Sequence, residues 1–346
     1  MMTNVKAGII GGAGYTGGEL LRILINHPNV EIAFIHSNSN AGNLISDVHT
    51  DLLGDTDLKF TDQLSQDIDV LFLCVGHGDA RKFLEANFFD ISIKIIDLSQ
   101  DFRLNSKSEI GNRKFIYGLP ELHKEAIKAA QNIANPGCFA TCLQLALLPL
   151  ASAGLLKSEV HISATTGSTG AGQKPGSTTH FSWRNNNLSV YKAFEHQHLN
   201  EIGESLNSLT PTLSKGEGES HGHTSPFGEG TGVRLNFIPY RGDFARGIMA
   251  STYVESDLTL EEAEKLYVDF YAEHPFTHIS KQNIDLKQVV NTNKCLIHLE
   301  KHGDKLLILS IIDNLLKGAS GQAVQNMNLM FGLEEMAGLR LKASYF

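Results

Sequence analysis

The stretch "VKAGIIGGAGYTGGELLRILINHP", residues 5–28, decides the fold. An apolar, strand-like run meets glycines at 11, 12, 14 and 17, and an amphipathic helical segment follows until Pro28 stops it. A strand, a glycine turn and a helix in that order offer backbone amides and a helix N-terminus to a pyrophosphate. Gly12, Gly14 and Gly17 satisfy GxGxxG, and Gly11, Gly14 and Gly17 satisfy GxxGxxG, so two registers are open. Ala13, Tyr15 and Thr16 complete the loop. A glycine turn without a ligand is the competing reading, and the position at the head of a βαβ pattern favours the cofactor.

Outward from this unit, short apolar runs and helical stretches keep alternating. "VEIAFIHS" is the next strand, "IDVLFLCV" another, Asp79 to Ala86 a helix and "SIKIIDLS" a further strand. Continuous apolar strands suit a parallel sheet covered on both faces. The expectation for residues 1–137 is therefore an α/β, Rossmann-like doubly wound domain that binds a dinucleotide. From about Glu159 the strands lengthen, and some are joined by tight turns such as His302-Gly303-Asp304. Residues 138–314 are expected to form an α+β domain on a mainly antiparallel or mixed sheet. Residues 210–231, rich in Gly, Ser, Thr, Pro and Glu, read as a mobile loop. The C-terminal segment 315–346 carries helical spacing at Val324, Met327 and Phe331 and is expected to pack back on the first domain.

Composition sets the outer limits. The 346 residues suit about two domains. Hydrophobic residues at 42% and charged residues at 19% fit a globular chain rather than a disordered one. A net charge of -9 without a Lys/Arg run argues against a nucleic-acid partner. No segment has the length of a membrane span, and the N-terminus does not read as a signal peptide. The four cysteines, Cys74, Cys138, Cys142 and Cys295, are too sparse for a disulfide framework and point to a reducing, cytoplasmic setting.

The end of the second strand reads "FIHSNSNAG". An NAD enzyme usually places a carboxylate there for the ribose 2′-hydroxyl. Ser37, Asn38 and Ser39 instead are able to donate to a 2′-phosphate, which favours NADP(H), with solvated loop residues as the plain alternative.

Chemistry concentrates at "NPGCFATCLQLALLPL", residues 135–150. Cys74, Cys142 and Cys295 sit in apolar runs and read as core. Cys138 follows Asn135-Pro136-Gly137, which places its sulfur at a helix N-terminus, where an anion is stabilised and a thiol pKa is lowered. A thiolate beside a dinucleotide fold points to acyl or aldehyde chemistry through a thioester. A proton-transfer group is needed as well. His27, His123, His221 and His223 read as surface residues, whereas His196 and His198 stand two apart at the start of an amphipathic helix, with Glu201 placed to orient the His198 ring. His-x-His with two cysteines four apart admits a metal site, but no second paired set stands at zinc spacing, so no metal is assigned.

In order along nearly the whole chain, "GAGYTGGELLR", "LISDVH", "DLSQDFRL", "YGLPEL", "NPGCFAT", "GSTGAGQKP", "HQHLNEI", "FARGI" and "DNLLKGASGQAVQNMN" resemble the N-acetyl-gamma-glutamyl-phosphate reductases, related in fold to aspartate-semialdehyde dehydrogenase. The resemblance implies an enzyme of arginine biosynthesis in which the Cys138 thiolate attacks an acyl phosphate, phosphate leaves, and NADPH reduces the thioester to a semialdehyde. It implies His198 as the acid/base, with His196 close behind. Arg103 is implied at the substrate phosphate or carboxylate, Asn135, Gly170, Gly172, Tyr191 and Lys192 around the substrate, and Asn314 near the nicotinamide. It also implies a small-molecule acyl-phosphate substrate and a homodimer or homotetramer.

The chain departs from the family pattern at Phe139-Ala140, Gln173 and Gln197, where many relatives carry Tyr-Pro, Arg and Arg. These changes spare Cys138 and both histidines and bear on the acyl group, so N-succinyl-glutamyl or N-acyl-aminoadipyl phosphate are alternative substrates. A non-enzymatic NADP-binding redox sensor switched at Cys138 is the reading from another class.

Overall fold

The computed structural model describes residues 4–157, 159–209 and 233–345; the loop expected at 210–231, with His221 and His223, lies outside the described residues. Residues 5–28 become β1 (Val5–Ile10) and α1 (Tyr15–Leu24), with Gly14 capping the helix. The first sheet adds β2 (Val30–His36), β3 (Val70–Leu73), β4 (Lys94–Asp97), β5 (Glu109–Ile110), β6 (Arg113–Tyr117) and β7 (Asn132–Ala134). Its order is β2-β1-β3-β4-β7-β6-β5, parallel throughout except for the short edge strand β5. Alternate residues feed two cores. Ile9, Val70, Phe72 and Ile96 pack with α1, while Ile10, Leu71, Leu73 and Ile95 pack under α2 (Asp79–Ala86) on the other face. That two-sided burial is why these strands read as unbroken apolar runs. α3 (Pro120–Ala129) opens with proline, whose missing N–H costs nothing at a helix start.

The second sheet is mixed. It holds α4 (Cys138–Ser152) against strands β8 (Val160–Thr166), β9 (Ser189–Val190), β10 (Leu235–Arg241), β11 (Ile248–Glu255), β12 (Thr277–Ser280), β13 (Cys295–His302) and β14 (Lys305–Ile312), in the order β12-β13-β14-β11-β8-β10-β9. β8 runs parallel to β10 and β12 to β13, and the other pairs are antiparallel. The β13–β14 hairpin turns through Gly303 at φ +58, a conformation that glycine adopts without a Cβ penalty. α5 (Phe181–Arg184) is a single turn, and α6 (His198–Leu209) and α7 (Leu260–Tyr271) cover α4. Thr259 and Glu262 form a reciprocal capping box at the start of α7.

Every residue of α4 from Phe139 to Ala151 is buried, which accounts for its all-round apolar sequence. Pro149 lies inside it and has no N–H for the Leu145 carbonyl. The Tyr271 hydroxyl donates to that carbonyl at 2.5 Å, and Tyr267 donates to the Ala146 carbonyl at 2.6 Å. The helix that begins at Cys138 is thus fixed by α7 at its far end.

The C-terminal segment is not one helix over 315–346. A π-turn, Leu316–Ser320, leads into α8 (Gly321–Met330), and the described chain beyond it has no further helix. α8 is buried along its whole length, with Val324 and Met327 joining the core under α1. His27, expected at the surface, is buried: its ring hydrogen-bonds Asn328 Oδ1 at 3.1 Å and lies against Gly338. The chain tail folds over it, a long-range contact invisible in local sequence.

Candidate active site

The glycine loop resolves the two open registers. Gly11 makes the turn at φ +79, with a Cβ excluded by the Cys74 carbonyl. Gly14 is open, since a Cβ there would meet only the Gly11 carbonyl at 3.6 Å. Gly17 packs helix on strand, where a Cβ would stand 2.6 Å from the Gly11 oxygen. Turn, close approach and packing are the three jobs of a dinucleotide loop, and Gly11, Gly14 and Gly17 perform them. Gly12 is a packing residue whose Cβ would strike Ile35 at 2.3 Å. Gly14, Tyr15 and Thr16 face a cleft of about 680 Å³, so the loop fits a dinucleotide by its shape. Ser37 is buried at the end of β2, its hydroxyl accepting from Asn40, and Asn38 and Ser39 are exposed beside it.

The same cleft is lined by Cys138, His196, His198, Arg103, Gly170, Gly172, Tyr191, Lys192 and Asn314. Four chain regions far apart in sequence therefore meet at one opening. Cys138 is the first residue of α4 and is packed from below by the π-turn; a Cβ on Gly318 would come within 2.7 Å of the Cys138 Cβ. A Cβ on Gly137 would meet His198 Nε2 at 2.3 Å and Arg103 Nη1 at 2.7 Å, so the imidazole and the guanidinium press directly on the turn before the cysteine. Asn314 accepts from the Gly247 amide at 2.7 Å and donates to Thr169 at 3.0 Å, which fixes its amide on the cleft wall.

Three expectations change. The first concerns the thiol. Burial pushes Cys138 up to about 11, against the downward pull of the Phe139 amide and the Arg103 charge. The helix N-terminus acts in the expected direction, but desolvation of the anion is larger. At neutral pH Cys138 rests as a thiol, not a preformed thiolate. Iodoacetamide alkylation of Cys138, followed by mass spectrometry, should therefore rise roughly tenfold per pH unit through pH 8 to 9 instead of levelling near 7.

The second concerns Glu201. It does not orient His198, since its Oε1 lies 3.8 Å from Nε2. It accepts instead from Arg103 at 3.3 Å, the Tyr117 hydroxyl at 2.9 Å and the Gly137 amide at 3.1 Å. Gln144 donates to the same hydroxyl at 2.7 Å, so the carboxylate anchors the turn that presents Cys138. The spacing of His198 and Glu201 on one helix face suggested a pair, and tertiary partners outcompete it.

The third concerns Arg103 and Asn135. Arg103 donates to the carbonyls of Asn135 at 2.9 Å and Leu98 at 3.0 Å as well as to Glu201, so it is no free fork. Asn135 donates to the Ala319 carbonyl at 3.0 Å and accepts from Asn326 at 3.1 Å, tying the Cys138 turn to the π-turn rather than facing the cleft.

His198 is buried, and burial followed by the charges of Arg103, His77 and Lys192 holds its imidazole well below the ordinary histidine value. Its Nδ1 has no hydrogen-bond partner among the described residues. His196 packs edge-on against Phe139, Tyr191 and Phe237, and its Nδ1 accepts from the His198 amide at 3.3 Å. Burial, then His198 and Lys192, lowers it to about 3. Both rings are neutral at pH 7. Only His198 presses on the cysteine turn, and His196 buttresses it.

Sequence reasoning missed His77 and Arg241, which line the cleft from loop and strand ends that carry no motif signal. It also missed the bridge from α1 to the second sheet: Arg246 holds Glu19 at 2.7 Å and Asp313 at 3.0 Å, and "FARGI" was its available trace. No group of metal-ligating side chains occurs among the described residues.

Two family models match the chain: "Semialdehyde dehydrogenase, NAD binding domain" over residues 6–130 and "Semialdehyde dehydrogenase, dimerisation domain" over residues 138–314. The fold is similar to aspartate semialdehyde dehydrogenase II of Vibrio cholerae, solved in complex with ASA (TM-score 0.67, 14% identity, 95% of this chain and 99% of that one). It is also similar to aspartate semialdehyde dehydrogenase with NADP from Candida albicans (TM-score 0.65, 12% identity, 95% and 99%). Fold and matched domains define a semialdehyde dehydrogenase, an oxidoreductase of the phosphorylating aldehyde dehydrogenase type. Curated relatives named N-acetyl-gamma-glutamyl-phosphate reductase are 60% identical in Bacteroides thetaiotaomicron and in Phocaeicola vulgatus, each over 99% of this chain and 100% of the relative. Another in Christiangramia forsetii is 54% identical over the same shares. The chain belongs to the N-acetyl-gamma-glutamyl-phosphate reductase family.

Proposed function

We propose that the protein reduces N-acetyl-gamma-glutamyl phosphate to N-acetyl-glutamate 5-semialdehyde and inorganic phosphate, with NADPH, as a step of arginine biosynthesis. The observation that carries this reading is the meeting of Cys138, His198 and the loop Gly14–Thr16 on one cleft, each delivered by a different chain region.

His198, neutral and pressed on the Gly137 turn, takes the Cys138 proton as the sulfur attacks the acyl carbon. The carbon–oxygen bond to phosphate breaks, phosphate leaves, and a thioester remains on Cys138. Bound NADPH supplies the hydride that reduces the thioester carbon. The alkoxide left by hydride addition collapses to the aldehyde as the carbon–sulfur bond breaks, and the imidazolium of His198 returns its proton to the departing sulfur, which restores the cysteine thiol. The α4 N-terminus, with the Phe139 amide directed at the sulfur, stabilises negative charge as it develops there. Arg103, tied to Glu201, holds the turn and adds positive potential without being a free anion clamp.

The cofactor preference for NADPH rests on residues 36–43, "HSNSNAGN", where no carboxylate stands to repel a 2′-phosphate. The dimerisation domain supports a homo-oligomer, and Met249 and Tyr253 on β11 are only partly covered on the sheet face turned from α4. No helix among the described residues is long and apolar enough to cross a membrane.

The test runs the reaction backwards, following NADP reduction at 340 nm with the semialdehyde. Strict dependence on added phosphate or arsenate is the expected result, and phosphate-independent turnover would overturn the acyl-phosphate assignment. The N-succinyl semialdehyde in parallel decides the acyl group, with equal kcat/KM excluding selectivity.

A further inference from the structure

Arg241 stands at the C-terminal end of β10 and lines the reaction cleft. Its guanidinium carbon lies 4.6 Å from the centre of the Tyr191 ring. Nε is buried and has no hydrogen-bond partner among the described residues. Every other described arginine donates to a carboxylate or a carbonyl: Arg22, Arg81, Arg103, Arg113, Arg184, Arg234, Arg246 and Arg340 all do. The guanidinium of Arg241 reaches neither among the described residues and is paired instead with the uncharged Tyr191 hydroxyl. The nearest acid in sequence, Asp243, is turned to the Asn186 amide.

A second cation, Lys192, lines the same cleft; its Nζ donates to the uncharged Gln197 at 3.0 Å, and its backbone is left-handed at φ +47. A non-glycine residue in that region carries strain, of a kind that gathers at ligand-binding segments. The Tyr191 amide bonds the Pro239 carbonyl at 3.1 Å, which fixes this segment to β10 beside Arg241. Arg103, by contrast, is neutralised by Glu201. A partly buried guanidinium with its Nε unpaired and no anionic acceptor is costly, and a planar fork is matched by a carboxylate.

We propose that Arg241, seconded by Lys192, forms a carboxylate subsite on the β10 wall of the cleft, which binds a substrate carboxylate remote from the reacting carbon. The inference rests on the acyl-phosphate reductase reading above. It moves substrate anion recognition from Arg103 to Arg241. The carboxylate belongs either to the amino-acid α-carbon or to the end of a longer acyl group, two sources of one chemistry.

Arg241→Leu should raise KM for the N-acetyl semialdehyde on the order of 100-fold, as expected on deleting one partner of a desolvated charge pair. kcat should stay within about threefold, because the reacting atoms are untouched, and Arg241→Lys should recover about half the loss on a logarithmic scale. The semialdehyde with its α-carboxylate converted to a carboxamide should be insensitive to the substitution. Should both N-acetyl compounds be insensitive while the N-succinyl substrate loses on the order of 100-fold, the carboxylate is the acyl one. Equal KM changes for all three compounds, or none, overturn the proposal. Wild-type protein that turns over no semialdehyde would defeat the functional reading instead. The subsite then stands or falls on glutarate, which should protect Cys138 from iodoacetamide in the wild type, where glutaramide does not, and should fail in Arg241→Leu.

Discussion

Cys138→Ala is expected to lower phosphate-dependent NADP reduction by at least about 10⁴-fold, the scale of deleting a covalent nucleophile from a site that otherwise stays intact. The fold should survive, because the sulfur is small, sits at the first turn of α4 and makes no structural hydrogen bond that the helix needs. Binding of NADP, measured by fluorescence or calorimetry, should change little, since Ser320 of the π-turn donates to the Thr16 carbonyl of the glycine loop without involving the sulfur. Full turnover in the alanine variant would sink the covalent route and leave direct hydride transfer to the acyl phosphate. Wild-type turnover that is lost in Cys138→Ala while NADP binding is retained is the pattern that a redox sensor, with no use for turnover, cannot produce.

The largest effect on stability is expected far from solvent. Lys317, on the π-turn, is completely buried; it donates to Glu121 at 2.8 Å and to Gln325 at 2.9 Å, and its ammonium lies 5.9 Å from the Phe276 ring centre. Lys317→Met leaves Glu121 in the interior with Thr277 as its remaining side-chain donor among the described residues. Breaking a buried pair from one side costs about 3–5 kcal/mol. The double variant Lys317→Met/Glu121→Leu should recover most of that loss, because no stranded charge remains.

The pH dependence has a definite sign. Burial pushes Glu121 up, but the charge and hydrogen bond of Lys317 outweigh it and hold the carboxyl below its usual value. A carboxyl depressed in the folded state contributes stability above its unfolded pKa and loses it as pH falls through the folded value. In Lys317→Met the same burial acts unopposed and raises Glu121, so acid protonates it and relieves the damage. The difference in thermal midpoint between wild type and Lys317→Met should therefore shrink between pH 8 and pH 5. A gap that is constant or widens in acid would show that Lys317 is not the partner that matters.

Much of this was legible in residue order. The two periods, near 3.6 in α1 and α7 and unbroken apolar runs in β1, β3 and β4, follow from which faces are buried, and both domains could be read from them. Cys138 was legible because Asn135-Pro136-Gly137 breaks the chain conformation directly before an apolar helix. What stayed hidden depends on contacts between segments far apart in sequence. The Cys138 thiol is raised because the whole cleft desolvates it, which no local pattern reports. Glu201 sits at helical spacing from His198, yet Tyr117 and the Gly137 amide reach it first. Arg241 lies in an ordinary strand sequence and gains meaning only from the acceptor it lacks. Lys317 reads as a solvent-facing lysine until Glu121, 196 residues away in the chain, meets it.

The π-turn at Leu316–Ser320 has a geometric consequence of its own. Wider by one residue than an α-turn, it acts as a phase shifter ahead of α8, since each residue advances a helix by about 100°. Excising a single residue there would rotate Gln325, Asn326 and Asn328 away from Lys317, Asn135 and His27 together. The wide turn is thus a timing element: one extra residue keeps three distant contacts in step, and with them the floor beneath the sulfur.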